Sequence, residues 1–152
     1  MKTYNRIIYL DISYTLISII LLFLNYTLAN SSDNLIPVTG ALSIVLRILG
    51  GIFLLASFIP GANNFSHITY KLIERRWLSK YVRHTHYFKI IMTVIGFSLI
   101  LATPVFLITP ALLIIVAYPF MLYEEKILRI IFGAEYQLYQ KETFRLFPKI
   151  KK

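Results

Sequence analysis

The residues best equipped for chemistry fall in two short stretches, Arg83-His84-x-x-Tyr87 and Glu124-Glu125. Arg83 and His84 offer N–H donors to an anionic group, and the two glutamates offer acceptors to a cation or to hydroxyls. The Tyr87 ring offers its face to a cation. An apolar hairpin separates the stretches, so both reach the same side of a membrane if that hairpin crosses it twice. The fold must therefore return the chain to its starting side for one site to form.

The composition supports a crossing. The chain has 152 residues, room for one domain, and is 57% hydrophobic. With a mean hydropathy of +0.67 it is too apolar for a soluble domain to bury, and the bilayer serves as solvent for much of its surface. The net charge of +9 fits basic cytoplasmic loops against anionic lipid headgroups, with no nucleic-acid partner expected. Cysteine is absent, which excludes disulfides, thiolate metal sites and a cysteine nucleophile. The basic start (Lys2, Arg6) enters a long apolar stretch without a small-residue cleavage site, so no cleavable signal is expected.

Hydropathy divides this single membrane domain, 1–152, into four transmembrane helices at about 7–29, 38–59, 89–108 and 111–123. A polar, aromatic and basic loop spans 62–88, and an amphipathic interfacial helix is expected over 124–152, continuous with the fourth span. Pro60-Gly61 stops the second span and Thr109-Pro110 the third. Every Lys and Arg except Arg47 then lies on one side, which the positive-inside rule makes cytoplasmic, with both termini there. The membrane is the inner or plasma membrane of a prokaryote or the endoplasmic reticulum of a eukaryote. Asp11 and Arg47 fall inside spans, and Arg47 is expected to take Asp11 or backbone carbonyls as a structural partner, in preference to a substrate contact.

The same residues admit plainer readings. Arg83 and its basic neighbours serve as interfacial anchors, and Glu125 pairs with Arg129 one helical turn on. A metal site is not expected from His67, His84 and His86, because in a helix His84 and His86 point about 200° apart. No serine sits in a G-x-S-x-G elbow, so a hydrolytic triad is not supported.

The order of the motifs adds a family likeness. Arg83-His84-x-x-Tyr87, a hydrophobic hairpin, Glu124-Glu125, Phe132-Gly133-x-Glu135-Tyr136-x-x-Tyr139 and Arg145-Leu146-Phe147-Pro148 follow one another. This resembles the C-terminal half of the isoprenylcysteine carboxyl methyltransferase and phospholipid methyltransferase superfamily, over about 71–148. The family pattern reads R-H-P-x-Y-x-G, a span pair, E-E and F-G-x-x-Y-x-x-Y. The chain departs from it with Thr85 at the proline, Lys89 at the glycine, and Trp77 and Ser79 for a glycine and a tyrosine upstream. Phe120 stands where some members carry a substrate-holding arginine.

The resemblance implies a membrane enzyme that uses S-adenosylmethionine and takes a lipophilic methyl acceptor, such as a prenylcysteine-like carboxylate, a phospholipid amine or a small hydrophobic molecule. Membrane lipids are its surroundings and no metal is needed. By motif position Arg83, His84, Tyr87, Glu124 and Glu125 line the cofactor pocket, with Lys71, Leu72, Ile73 and Glu74 as an added wall. Glu124 is expected to meet the cofactor, while Glu125 is freer to pair with Arg129. Two alternatives stand beside this one. His86-Tyr87-Phe88 also resembles a segment of the steroid-reductase-like membrane enzymes, which use NADPH. A non-catalytic member would keep the fold as a membrane scaffold or lipid-binding module.

Overall fold

Many large apolar side chains point outward along the first two helices; the inward face of the second is made of small residues, and that of the first combines Ile7 and Tyr14 with Asp11 and Ser18. That distribution governs the architecture. The computed structural model describes residues 2–31, 40–58, 68–69, 72–73, 81–101 and 108–146. Among these residues the elements are α1 (Lys2–Ser31), α2 (Gly40–Ser57), β1 (Ile68–Thr69), β2 (Leu72–Ile73), α3 (Thr85–Leu101), α4 (Ile108–Phe132) and α5 (Ala134–Glu142). The fold is thus helical, with β1 and β2 forming a short antiparallel hairpin in the register Ile68–Ile73 and Thr69–Leu72. Among the described residues two helices, α1 and α2, are long and apolar enough to cross a membrane.

On α1 the buried residues are Ile7, Asp11, Tyr14 and Ser18, spaced four, three and four along one stripe. That stripe packs on α3 and α4, while Ile12, Leu16, Ile19, Ile20 and Phe23 remain exposed. On α2 the buried positions are Ser43, Gly50 and Ser57, again on one face. A soluble helix would bury the large apolar residues. Small residues inward and large ones outward, as on α2, is the pattern expected where lipid is the solvent.

The face of α2 meets α3 at close range. A Cβ added to Gly50 would lie 2.6 Å from the Gly96 carbonyl oxygen, and one added to Gly96 would lie 2.8 Å from Leu54 Cγ. Glycine at both positions lets the two backbones touch. The core lies on the other side of α3, where Tyr14, Tyr87, Ile91, Val94, Leu113, Ala117 and Met121 pack together. A second cluster joins Ile7, Ile127 and Leu128 to Tyr136 and Tyr139 of α5.

The structure shifts several expected boundaries. The third apolar run ends as helix at Leu101, and Thr109-Pro110 lies in the first turn of α4 instead of breaking a span. Proline is tolerated there because a first-turn N–H has no helical partner to lose. The expected single helix over 124–152 is interrupted: α4 ends at Phe132, and Gly133 turns the chain with φ +53° into the short α5. A left-handed turn of this kind favours glycine.

After α5 the chain is extended and returns along the segment before α3. Phe144 forms a parallel bridge with Val82, fixed by Arg83 N–H donating to Phe144 O at 2.6 Å and His84 N–H to Arg145 O at 3.1 Å. The tail therefore docks beside Arg83-His84. Asp11 and Arg47 do not pair: Arg47 is exposed on α2, and Asp11 is buried on α1 toward α3 and α4.

Candidate functional site

The α3–α4 hairpin brings Arg83-His84 and Glu124-Glu125 together, forty positions apart in the chain for His84 and Glu124. Glu125 continues the buried row Leu113, Ala117, Met121 at intervals of four, so the helix itself turns it inward. It is 2% exposed and is the hub of the cluster. Arg83 Nη2 lies 3.1 Å from its Oε1, and Arg145 donates from Nε to Oε1 at 3.0 Å and from Nη2 to Oε2 at 3.2 Å. Arg129 Nη2 stands further off, 3.8 Å from Oε2. Burial alone would raise the Glu125 carboxyl, but hydrogen bonds from His84 and Arg145 and the Arg83 charge hold it at about 2.

His84 is clamped between the two glutamates, with Nδ1 3.0 Å from Glu124 Oε2 and Nε2 3.3 Å from Glu125 Oε1. Both ring nitrogens face carboxylates, an arrangement that calls for two donors and therefore the imidazolium. Burial opposes that charge, yet the adjoining glutamates, Glu124 foremost, raise the His84 pKa above its usual value. The Arg83 guanidinium is engaged through both terminal nitrogens, while its Nε is buried without a partner. Its Nη1 donates to the carbonyls of Gln140 and Thr143, each at 2.7 Å.

Tyr87 is 1% exposed and lies beneath the cluster. Its ring centroid sits 4.6 Å from that of Tyr14, and the His84 and His86 rings stand edge-on at 5.7 and 5.9 Å. The Tyr87 hydroxyl and Asp11 Oδ1 are both buried without a hydrogen-bond partner. Asp11 is near enough to Glu124 and His84 to feel their charges, and the same carboxylates act on Tyr87. His86 reaches back to α1, with Nε2 3.2 Å from Thr15 Oγ1.

The structure thus brings together Arg83, His84, Tyr87, Glu124 and Glu125 from the expected set. Leu72 and Ile73 form β2, and Lys71 and Glu74, like Trp77 and Ser79, lie outside the described residues. Thr85 opens α3 and is buried, Lys89 is half-buried on α3, and Phe120 packs at 5.9 Å against the Tyr14 ring. Two members of the cluster were not anticipated there. Opposite charge points Asp11 toward Arg47, although an ionisable residue near the basic end of a span is itself a signal for the interior. Arg145 stood in the closing segment of the motif pattern, with nothing local to link it to Glu125.

These donors and acceptors fit a ligand such as S-adenosylmethionine on one side only. Asp11, Glu124 and the Tyr87 hydroxyl suit a cationic or hydrogen-bond-donating group. Arg83 and Glu125 are engaged by each other and by backbone or Arg145, with Arg83 Nε left without a partner. Among the described residues, no group of three or more His, Asp or Glu is arranged to hold a metal ion. Comparison with protein-family models, with curated proteins and with solved structures found no match to this chain.

Proposed function

We propose that the protein is an S-adenosylmethionine-dependent methyltransferase of the isoprenylcysteine carboxyl methyltransferase and phospholipid methyltransferase type, acting on a lipophilic acceptor at the cytosolic membrane face. One observation carries this reading: His84 and Glu124, from the two halves of the motif pattern, meet at 3.0 Å beside the unpartnered Asp11 Oδ1 and Tyr87 hydroxyl. When bound, the cofactor supplies an activated methyl group on a sulfonium, and its transfer requires positioning and a dry site more than a metal. Glu124 accepts hydrogen bonds from the cofactor, held in orientation by His84. Tyr87 places a polar hydroxyl against the same space. Glu125, with Arg83 and Arg145, fixes the two helix ends that carry these groups.

The topology belongs to the same proposal. α1, α2, α3 and the apolar part of α4 cross the membrane, and both termini and the cluster face the cytosol. The charge distribution supports this, since Arg47 is the only basic residue that the four spans leave away from the cytosolic side.

A scaffold reading is favoured by a different observation: Glu125 has its donors from within the chain, and His84 and Tyr87 are almost wholly buried. Equilibrium binding of radiolabelled S-adenosylmethionine and of NADPH to the protein in neutral detergent separates the candidates. Binding of the first alone, followed by radiolabelled product from native lipid extract, supports the methyltransferase. NADPH binding alone supports a reductase, and binding of neither supports the scaffold.

A further inference from the structure

Arg47 is a charge in the wrong solvent. It lies on α2 seven residues after Gly40 and ten before Ser57, so about 10 and 15 Å from the two ends of the span. Its side chain is exposed, and among the described residues it has no hydrogen bond and no ion pair. The helix packs mainly on α3, through the face of Ser43, Gly50 and Ser57, while Ile44 and Leu55 beside Arg47 are exposed and apolar. A guanidinium at that depth on a lipid-facing surface is costly unless it is paired. Long basic side chains reach the headgroups from near the ends of a span, and Arg47 is not near an end.

A second feature of the same face is independent of the charge. Gly51 follows Arg47 by four residues and therefore lies beside it on the helix surface. Its neighbour Gly50 is needed for the contact with Gly96, but a Cβ at Gly51 meets nothing within 4 Å. Glycine in a helix interior costs stability against alanine, and here it has no packing role among the described residues. On a lipid-facing surface a small residue lets a second helix come close. Ile44, Arg47, Gly51 and Leu55, spaced three, four and four, thus make one stripe with a cation and a notch at its middle.

We propose that this stripe is the docking face for a membrane-spanning helix of another protein, one with a single Asp or Glu near its middle and an otherwise apolar contact surface. The Arg47 guanidinium pairs with that carboxylate, and Gly51 lets the two backbones approach. A second copy of this chain does not fit. Of its seven acidic residues, only Asp11 falls within the two helices long enough to cross, and it is buried. A symmetric pairing would also set Arg47 against Arg47. The inference goes beyond the methyltransferase reading and needs only that α2 spans the membrane.

The test places the full chain, fluorescently labelled, in phosphatidylcholine vesicles and reads energy transfer to synthetic spanning peptides. These peptides are built of leucine and alanine and differ only at the central residue, Glu or Leu. The Glu peptide is expected to associate about tenfold more tightly than the Leu peptide. Arg47→Leu is expected to remove that preference, and Arg47→Glu to transfer it to a peptide with a central Arg. Gly51→Leu is expected to weaken association several-fold by filling the notch. Both positions are open, so the thermal unfolding midpoint in neutral detergent is expected to be unchanged in the Arg47 variants. Equal association of the Glu and Leu peptides with the unaltered chain overturns the proposal and leaves Arg47 to lipid headgroups. A preference that survives Arg47→Leu overturns it as well. Energy transfer between two labelled copies, lost in Gly51→Leu and with none to the Glu peptide, gives the face to a second copy and also overturns it. None of these outcomes depends on S-adenosylmethionine binding, so the two proposals stand or fall separately.

Discussion

Arg83 and Glu125 meet at 3.1 Å, with both side chains almost fully buried. Arg83 is anchored a second time through Nη1 to the carbonyls of Gln140 and Thr143. The pair therefore ties the start of α3, the end of α4 and the segment after α5 to one point. Removing one partner of such a pair leaves a buried charge uncompensated, which costs roughly 3–5 kcal/mol. Glu125→Gln is expected to lower the thermal unfolding midpoint clearly, and Glu124→Gln much less, since Glu124 receives only His84 among these donors. Equal midpoints for the two variants would place the hub elsewhere.

Stability should fall at both ends of the pH scale, for different residues. The Glu125 carboxyl is held at about 2 against an ordinary value of 4.5, so its contribution is complete above the ordinary value and is lost as pH falls through about 2. The His84 pKa is raised from 6.5, so its contribution is present below that value and is lost as pH rises through the elevated one. A series of unfolding midpoints against pH is expected to show an alkaline decline that His84→Gln flattens. A variant that keeps the full decline would assign it to another group.

The close crossing of α2 and α3 makes neighbouring glycines unequal. A Cβ at Gly50 meets Gly96 O at 2.6 Å, whereas one at Gly51 meets nothing within 4 Å. Gly50→Ala is expected to destabilise by roughly 1–3 kcal/mol through overpacking. Gly51→Ala should be neutral or stabilising by up to about 1 kcal/mol, as alanine is the better helix former. Chemical denaturation in detergent compares them directly, and a Gly50→Ala protein as stable as Gly51→Ala would deny the close contact.

The proposed topology places Ser32 and Ser79 on opposite faces of the membrane. Cysteines introduced singly at these positions should react with a membrane-impermeant maleimide from opposite sides of sealed vesicles. Labelling of both from one side would reverse the assignment of the central loop.

Much of this fold can be read from hydropathy, because a period of apolar residues and the length of a span are local properties. The two longest spans and the continuation of the fourth apolar run through Glu124-Glu125 follow from them. The choice between the glutamates does not. The hydrophobic row Leu113–Ala117–Met121 points to Glu125 as the inward residue, but an adjacent Glu124 only about 100° around the helix competes for that place. The helix phase turns Glu125 inward, and Arg145, delivered by a chain reversal at Gly133 and a bridge between Val82 and Phe144, secures it there. Such long-range pairing leaves no periodic trace. For Asp11, opposite charge points to Arg47, while the stripe it shares with Ile7, Tyr14 and Ser18 sets its direction.

The central claim, that the two clusters build one cofactor site, is tested most directly by binding of radiolabelled S-adenosylmethionine to the purified protein, compared with Glu124→Gln. Saturable binding below millimolar concentration is expected in the unaltered chain. Loss of one charged hydrogen bond, about 1.5–3 kcal/mol, should weaken it ~10-fold or more in Glu124→Gln. No binding at millimolar concentration by the unaltered chain, or equal binding by the variant, would contradict the claim.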